Sequence, residues 1–265
     1  MNLFSAKRRP TTLTLAGRFL AVLGVSWAGL VQGQTGATTT APLRVGISPV
    51  FPPMVFERGK EIVGVEIDLA RRFGESLGRP VVFVRLTWAD QIAALNEGKT
   101  DIIMSSMSIT PARGHVVSFT RPYFVLGQMA LVRREDRGGY ILGFPQPLPG
   151  TVGVLKATTG EFLVQREFPR DKRKSYSTPE QAVTALKKKK IDLFISDSTM
   201  VSYLAGVHSA DGLTYVPMML SEEPLGWAVR LTDEALLKAA NDFIERSAND
   251  GSLLRVFRQW GATGG

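Results

Sequence analysis

The sequence predicts an α/β protein in which strands and helices alternate along the chain and the strands form a parallel or mixed sheet. Two observations support this fold class. Short apolar runs, which are typical of buried strands, alternate with segments whose apolar residues recur with the helical period. This alternation occurs on both sides of a Gly- and Pro-rich segment at 136–150, interpreted as a loop. A length of 265 residues suits one large domain or two ordinary ones.

The first set of elements begins with a strand at 43–47. This strand ends at the Pro-rich stretch 48–53, which can neither extend a strand nor begin a helix. The elements predicted after it are a hairpin-like connection at 57–60, a helix at 65–77 with one apolar face, a strand at 81–86, a helix from Asp90 to Gly98 and a strand at 102–104.

The second set of elements lies between a strand at 124–133, which leaves the first set, and an extended segment at 213–219, which returns toward it. Thr and Asp residues at helix-cap positions mark several helix starts. The elements predicted here are strands at 151–155 and 191–195, helices at 158–168, 178–188 and from Asp197, then a strand at 226–230, a helix at 233–248 and a short helix ending near Trp260.

The stretch 101–124 contains the clearest candidate binding site. Serines follow its short strand, and Thr110 and Pro111 then form a favourable helix start. Arg113 falls in the first helical turn, where the helix dipole favours anions over cations. N–H groups, hydroxyls and a guanidinium at one place suit a small carboxylate. The alternative is a capped surface helix whose Arg113 is only solvated.

Composition excludes several kinds of site. With no cysteine, the chain has no disulfide, thiolate metal site, cysteine nucleophile or lipid-bearing cysteine. Only His115 and His208 are present, which argues against a His-based metal site, and neither metal nor cofactor is expected. The formal charge of +8 falls to +4 without the four basic residues of 1–33, so nucleic acid is not an expected partner.

The segment 1–33 is predicted to be a signal peptide, followed by a Thr-, Gly- and Ala-rich linker at 34–42. Lys7-Arg8-Arg9 precedes an uncharged stretch at 19–31, which has the length of a signal h-region and is short for a bilayer span. The mature chain is therefore expected in the periplasm. Because Arg18 interrupts the pattern, a retained N-terminal anchor is the alternative.

Seven motifs then occur in a specific order: LRVGISPVFPPMVF, GVEIDLARRFGESLG, TWADQIAALNEGKTDIIMSSMSITPAR, VSFTRPYF, GVLKATTGE, IDLFISD and NDGSLLRVFRQWG. Each motif alone has low specificity, but together the chain resembles the periplasmic polar amino-acid-binding proteins of ABC importers, family 3 of the extracellular solute-binding proteins. The resemblance covers about residues 43–261. It implies a two-lobed periplasmic-binding-protein fold with two crossover strands and a ligand cleft between the lobes.

The resemblance also implies lobe boundaries. The first lobe would comprise 43–126 and a return segment at 221–265, and the second lobe would comprise 127–220. Closure of such lobes around a ligand is a hinge motion.

The resemblance implies two groups of ligand contacts. The amino-acid head group would be held by Ser106, Ser108, Arg113, Thr158, Thr159 and Asp197, with Arg113 on the α-carboxylate and Asp197 on the α-ammonium. The aromatic residues Phe51 and Trp88 would sandwich the ligand side chain. Ser48 occupies the position where relatives that bind basic amino acids usually carry an acid, which predicts a neutral ligand.

Each of these positions also has a simpler interpretation. Phe51 and Trp88 are residues of the kind that pack in cores or on half-buried surfaces. Thr158, Thr159 and Asp197 are ordinary helix-capping residues. The acids Glu161 and Glu223 lie outside the matched positions and would change the charge of the cleft if either reached it.

These expectations combine into one function and two alternatives. The chain is predicted to be a monomeric binding protein without enzymatic activity, which delivers a free amino acid to an ABC permease of the inner membrane. The first alternative is a periplasmic cyclohexadienyl or arogenate dehydratase on the same fold, but Met200 stands where such enzymes need an acid. The second is a sensor domain. This alternative is disfavoured because neither a transmembrane helix nor a signalling domain is predicted after the matched residues.

Overall fold

The computed structural model describes residues 41–140, 150–168 and 172–262. The predicted signal peptide at 1–33, nearly all of the linker at 34–42 and most of the loop at 136–150 lie outside these residues. Within the described ranges, no helix combines the length and the apolar character needed to cross a bilayer.

The strands of the described chain are β1 (Leu43–Ile47), β2 (Val50–Phe51), β3 (Val55–Arg58), β4 (Glu61–Val63), β5 (Val81–Arg85), β6 (Ile102–Ile103), β7 (Ser118–Phe119), β8 (Phe124–Leu126), β9 (Gln128–Arg133), β10 (Thr151–Leu155), β11 (Lys172–Tyr176), β12 (Leu193–Asp197), β13 (Leu213–Val216), β14 (Glu223–Leu225) and β15 (Ala228–Val229). The helices are α1 (Val65–Ser76), α2 (Gln91–Asn96), α3 (Pro111–Gly114), α4 (Thr159–Glu167), α5 (Pro179–Lys187), α6 (Ser198–Val207), α7 (Glu234–Asn249) and α8 (Ser252–Gln259). Short 3-10 helices occupy Trp88–Asp90 and Arg134–Tyr140.

The first sheet has the strand order β5-β1-β6-β15-β7. Strand β1 runs parallel to β5 and β6, whereas β15 runs antiparallel to β6 and β7, so the sheet is mixed as predicted. Phe73 of α1 packs 5.7 Å from Trp227 and 5.4 Å from Phe243 of α7, measured between ring centroids. Residues from both ends of the described chain therefore build this core.

The second sheet has the order β11-β10-β12-β9-β13. Strand β10 runs parallel to β11 and β12, and β9 runs antiparallel to β12 and β13. The apolar residues of its central strands are almost fully buried, and they include Val132, Val152 and Ile195. One face of this sheet thus has a core of its own, whereas a larger apolar core combines residues of both sheets, among them Ile47 and Phe194. The lobes are called first and second after the sheet that each contains.

Two antiparallel strands, β8 and β14, connect the lobes, with Leu126 opposite Glu223 and Phe124 opposite Leu225. The strand predicted at 124–133 is interrupted at Gly127, where a side chain would lie 2.0 Å from the carbonyl oxygen of Ser221. The chain crosses to the second sheet along β8 and returns along β14. This topology confirms the two-lobed α/β fold with two crossover strands.

Two local predictions need correction. Strand β11 was not predicted, because its sequence Lys-Arg-Lys-Ser-Tyr has no apolar periodicity; it is an exposed edge strand held in parallel register by β10. Asp90 precedes α2 but does not cap it with its side chain. Its carboxylate instead accepts a hydrogen bond of 2.6 Å from the hydroxyl of Thr87.

Candidate functional site

The ends of β1 and β6 bring two predicted positions, Ser48 and Ser106, close to Ser105. The backbone N–H of Ser48 donates to the hydroxyl of Ser105 at 2.8 Å, which ties the two strand ends together. Ser106 has a φ of 57°, a conformation that costs free energy for a residue with a side chain. Its buried hydroxyl has no hydrogen-bond partner among the described residues, so it retains an unused donor and acceptor.

Glu66 holds the backbone of Ser106 in this conformation. The fully buried carboxylate of Glu66 accepts the N–H of Ser106 at 2.7 Å and the indole N–H of Trp227 at 3.0 Å, and it also accepts the hydroxyl of Tyr123. Burial raises the pKa of Glu66, and these three donors oppose that rise. The strained turn is therefore supported from the core of the first lobe.

Arg113 lies at the start of α3 as predicted. The hydroxyl of Thr110 accepts the N–H of Arg113 at 3.3 Å, and one guanidinium nitrogen donates to the carbonyl oxygen of Ser108 at 2.8 Å. Burial lowers the pKa of Arg113, while Glu223 and Asp197 raise it. Arg113 is half-buried, one nitrogen of its guanidinium is hydrogen-bonded, and two carboxylates lie nearby. The interpretation of Arg113 as a merely solvated surface arginine therefore does not fit.

The two aromatic residues form one wall instead of a sandwich. The ring centroids of Phe51 and Trp88 are 4.9 Å apart at 61°, an edge-to-face contact that leaves no space for a ligand between them. The guanidinium carbon of Arg113 lies 5.3 Å from the ring of Trp88. The indole N–H of Trp88 donates to the carbonyl oxygen of Ala157 in the second lobe at 2.8 Å. Trp88 thus belongs to the cleft between the lobes.

In the second lobe, Thr158 and Thr159 differ in their contacts. The hydroxyl of Thr158 accepts the N–H of Glu161 at 3.4 Å and donates to the carbonyl oxygen of Leu155 at 2.8 Å, so it caps α4. The hydroxyl of Thr159 accepts from the side-chain amide of Gln128 at 3.3 Å. The capping interpretation therefore describes Thr158, whereas Thr159 is tied to the strand that enters the second lobe.

Asp197 is the last residue of β12 and is 8% exposed. It precedes α6, but its side chain makes no capping hydrogen bond, so the interpretation of Asp197 as only a cap is wrong. Its carboxylate accepts from the side-chain amide of Gln128 at 2.8 Å. Burial and the nearby charge of Glu223 raise the pKa of Asp197 to about 7, although Gln128 and Arg113 oppose the rise.

Two residues of this site were not assigned from the sequence. Gln128 contacts Thr159 and Asp197, and its burial within a strand that is otherwise mainly apolar was the signal that could have revealed it. Glu223 was considered only as an acid that might reach the cleft. Its two oxygens accept the hydroxyls of Ser108 at 2.7 Å and Ser221 at 2.8 Å.

The other acid considered, Glu161, is engaged within the second lobe. Its carboxylate accepts the N–H of Ala157 at 2.8 Å and the hydroxyl of Ser175, and Arg173 lies 3.9 Å away. Ala157 has a φ of 61°, so this carboxylate stabilises the strained turn before α4. Glu161 therefore has a structural role.

A cavity of about 570 Å³ lies next to Ser48 and Trp88 and is lined from both lobes. The side chains of Arg85 and Lys156 line it, and no carboxylate does. Arg85 is paired with Glu57, but Lys156 has no ion-pair partner among the described residues. The space next to Phe51 and Trp88 is thus lined by one unpaired cation, Lys156, and by no acid that could compensate a second cation.

Comparison with known proteins agrees with this geometry. The family model for bacterial extracellular solute-binding proteins, family 3, matches residues 43–263. ABC transporter arginine-binding protein 1 of Escherichia coli (strain K12) is 28% identical over 232 residues, which are 85% of this chain and 93% of that protein.

Two solved structures share the fold. One is a putative binding component of an ABC transporter from Wolinella succinogenes complexed with lysine, with 30% identity and a TM-score of 0.77 over 83% of this chain and 95% of that one. The other is the ancestral amino acid-binding protein AncCDT-1, a precursor of cyclohexadienyl dehydratase, with 30% identity and a TM-score of 0.74 over the same shares of the two chains.

Proposed function

The chain belongs to family 3 of the bacterial extracellular solute-binding proteins, and from this premise we propose that it captures a free, neutral amino acid between its lobes. The ligand is then delivered to an ABC permease in the inner membrane. In this proposal the protein acts in the periplasm after removal of residues 1–33, works as a monomer, and needs no cofactor, metal or nucleic acid.

The observation that carries the proposal is the relation between Arg113 and Asp197. The two residues come from different lobes and each shifts the pKa of the other, so their charges are close in space. No ion pair joins them in the described part of the chain. Two opposite, partly buried charges that remain apart suit a zwitterion, whose carboxylate pairs with Arg113 and whose ammonium pairs with Asp197.

The remaining head-group contacts follow from this placement. Ser106 offers a buried hydroxyl without a partner among the described residues. Ser108 is hydrogen-bonded to Glu223, and Thr159 is hydrogen-bonded to Gln128. Residues of both lobes contribute, so the ligand favours the closed arrangement by contacting both sides. We assign 43–126 and 221–265 to the first lobe and 127–220 to the second.

The proposed neutrality of the ligand rests on the cavity beside Ser48. Arg85 and Lys156 line this cavity without a carboxylate, Glu161 is engaged in the turn before α4, and Glu223 is bonded to Ser108 and Ser221. A cationic side chain would enter this space without a compensating acid, which is costly. The E. coli relative is named for arginine and the Wolinella relative was solved with lysine, so a neutral ligand would distinguish this chain from both.

Titration calorimetry with Gln, Leu, Phe, Arg and Lys tests the proposed neutrality. We expect the best neutral amino acid to bind at least roughly tenfold more tightly than Arg or Lys, which corresponds to about 1.4 kcal/mol. The preference arises because Phe51 and Trp88 offer apolar surface and only a small cation–π term of about 0.5–2 kcal/mol. Tightest binding of Arg or Lys would contradict it.

A Ser48→Asp variant provides the matched control for that titration. The new carboxylate would stand at the end of β1 beside the cavity, where it compensates a ligand cation. Its affinity for Arg or Lys is therefore expected to rise relative to its affinity for Gln. If the ratio stays unchanged, Ser48 is not part of the side-chain subsite.

A dehydratase is the second candidate, because one solved relative is described as a precursor of such an enzyme. Met200 occupies the position on α6 where the enzyme would need an acid. The side chain of Met200 is buried, and the hydroxyl of Ser196 contacts its sulfur at 3.3 Å, so Met200 packs in the core at this position. A thioether cannot transfer a proton, which supports binding without catalysis. Turnover of prephenate or arogenate would overturn this part of the proposal.

A further inference from the structure

Gln128 occupies a central position between the connecting strands and the second lobe. It is the first residue of β9 and is completely buried. Its side-chain amide donates to the carboxylate of Asp197 at 2.8 Å and to the hydroxyl of Thr159 at 3.3 Å. One amide group therefore sets the positions of two ligand-binding candidates that belong to different elements, β12 and α4.

The backbone of Gln128 is fixed by the returning strand. Its N–H donates to the hydroxyl of Ser221 at 2.9 Å, and its carbonyl oxygen accepts the N–H of Leu220 at 2.8 Å. The hydroxyl of Ser221 in turn donates to Glu223 at 2.8 Å, and Glu223 accepts the hydroxyl of Ser108 at 2.7 Å. A continuous hydrogen-bonded chain thus runs from Ser108 in the first lobe to Gln128.

The acceptors around Gln128 fix which way its amide points, and Gly160 leaves room for the amide oxygen. A side chain at Gly160 would lie 2.5 Å from the side-chain oxygen of Gln128, so only glycine leaves room for it. With the oxygen on this side, the NH₂ group faces Asp197 and Thr159. The reverse orientation would direct the amide oxygen at the carboxylate of Asp197, and two acceptors repel each other.

We propose that Gln128 is a positioning residue for the ligand's ammonium group, because it orients the carboxylate of Asp197 and stabilises its charged form. This inference rests on the proposed function, since it requires that Asp197 accepts the ammonium. Gln128 itself does not contact the ligand. Its connection to Ser221 and Glu223 fixes the position of Asp197 relative to Ser108 and the other first-lobe residues of the site.

The charges around Asp197 explain why this stabilisation is needed. Burial and Glu223 on β14 disfavour the ionised form of Asp197. Arg113 on α3 and the amide of Gln128 favour that form. Asp197 also contributes to the raised pKa of the hydroxyl of Tyr123, which lies before β8. With these influences together, the pKa of Asp197 is about 7. Loss of the amide donor would raise it further.

The sign of the pH dependence follows directly. An ammonium ligand pairs with the charged form of Asp197, so affinity is full above the pKa of this group in the empty protein. Below that pKa the ligand must displace a proton, and affinity falls by up to about tenfold for each pH unit. For the wild-type protein the decline is expected to begin near pH 7.

The test is calorimetry of the full-length mature protein between pH 5.5 and 8.5, with the tightest-binding amino acid of the titration described above. The Gln128→Met variant keeps the volume of the side chain but loses the donor. Its decline in affinity is expected to begin about 1 pH unit higher than in wild type, because the charged carboxylate of Asp197 loses about 1.4 kcal/mol of stabilisation with the donor. Gln165→Met, on the exposed face of α4, is the matched control and should follow the wild-type profile.

A structural role alone would give a different result, since general loosening of the fold lowers affinity equally at every pH. An unshifted pH profile in Gln128→Met therefore overturns the inference. If that variant does not fold, Gln128→Leu gives the same decision, because leucine also lacks the donor to Asp197. Failure of the wild-type protein to bind any amino acid at any pH would instead overturn the proposed function, and this inference with it.

Discussion

Replacement of Arg113 by alanine is expected to weaken binding of the amino acid by at least about 30-fold while the protein still folds. The guanidinium can form two parallel hydrogen bonds with a carboxylate, and only one of its nitrogens is engaged by a hydrogen bond among the described residues. Loss of such a desolvated pair costs about 2–5 kcal/mol, or between about 30-fold and about 5,000-fold in affinity. Calorimetry measures the loss.

Two further variants make the Arg113 result specific. Arg113→Lys retains the charge but not the planar fork, so we expect it to recover little of the affinity. Arg121→Ala removes an exposed arginine that pairs with Glu245 and should bind like wild type. Affinity of Arg113→Ala within about threefold of wild type, about 0.7 kcal/mol, would show that the carboxylate is held elsewhere.

Replacement of Asp197 by asparagine is expected to separate two kinds of ligand. The loss of the anionic acceptor should weaken binding of the amino acid by about 10-fold to 100-fold, because a hydrogen bond between charged groups is lost. The corresponding α-hydroxy acid has no ammonium and should lose less than about threefold. Calorimetry with both ligands at pH 8 measures the difference, and equal losses would show that Asp197 has only a structural role.

The stability of the Asp197→Asn variant provides the control. The pKa of Asp197 in the folded protein, about 7, lies above the ordinary value of 3.8 for this side chain. A group of this kind contributes stability at low pH and loses that contribution as the pH rises through about 7. The asparagine variant avoids this loss and still accepts from Gln128. Its free energy of unfolding at pH 8 is therefore expected to be no lower than that of the wild type.

Local sequence signals predicted most elements of the fold, and long-range contacts explain the exceptions. The helix at 65–77 and the strand at 151–155 show clear periodicity and were found within one residue of their predicted bounds. The break at Gly127 depends on the carbonyl group of Ser221, which lies far along the chain. β11 exists because β10 offers its edge, and its own residues give no strand signal.

The candidate site shows the same division. The helix start before Arg113 was predicted correctly, because Thr110 and Pro111 define that start locally. The mutual contact of Phe51 and Trp88 depends on how two separate segments pack, so the predicted sandwich was wrong. Gln128 and Glu223 acquire their roles through partners on other strands, and no spacing along the sequence indicates such partners.

A thermal-shift screen of the mature wild-type protein against the common amino acids tests the central claim most directly. A ligand that binds only the folded state raises the apparent melting temperature, by an amount equivalent to about 2.7 kcal/mol at 100 times its Kd. We predict a clear rise with at least one neutral amino acid and no rise with the same ligand in Arg113→Ala. A protein that no amino acid stabilises, or an equal rise in that variant, would contradict the assignment of this cleft.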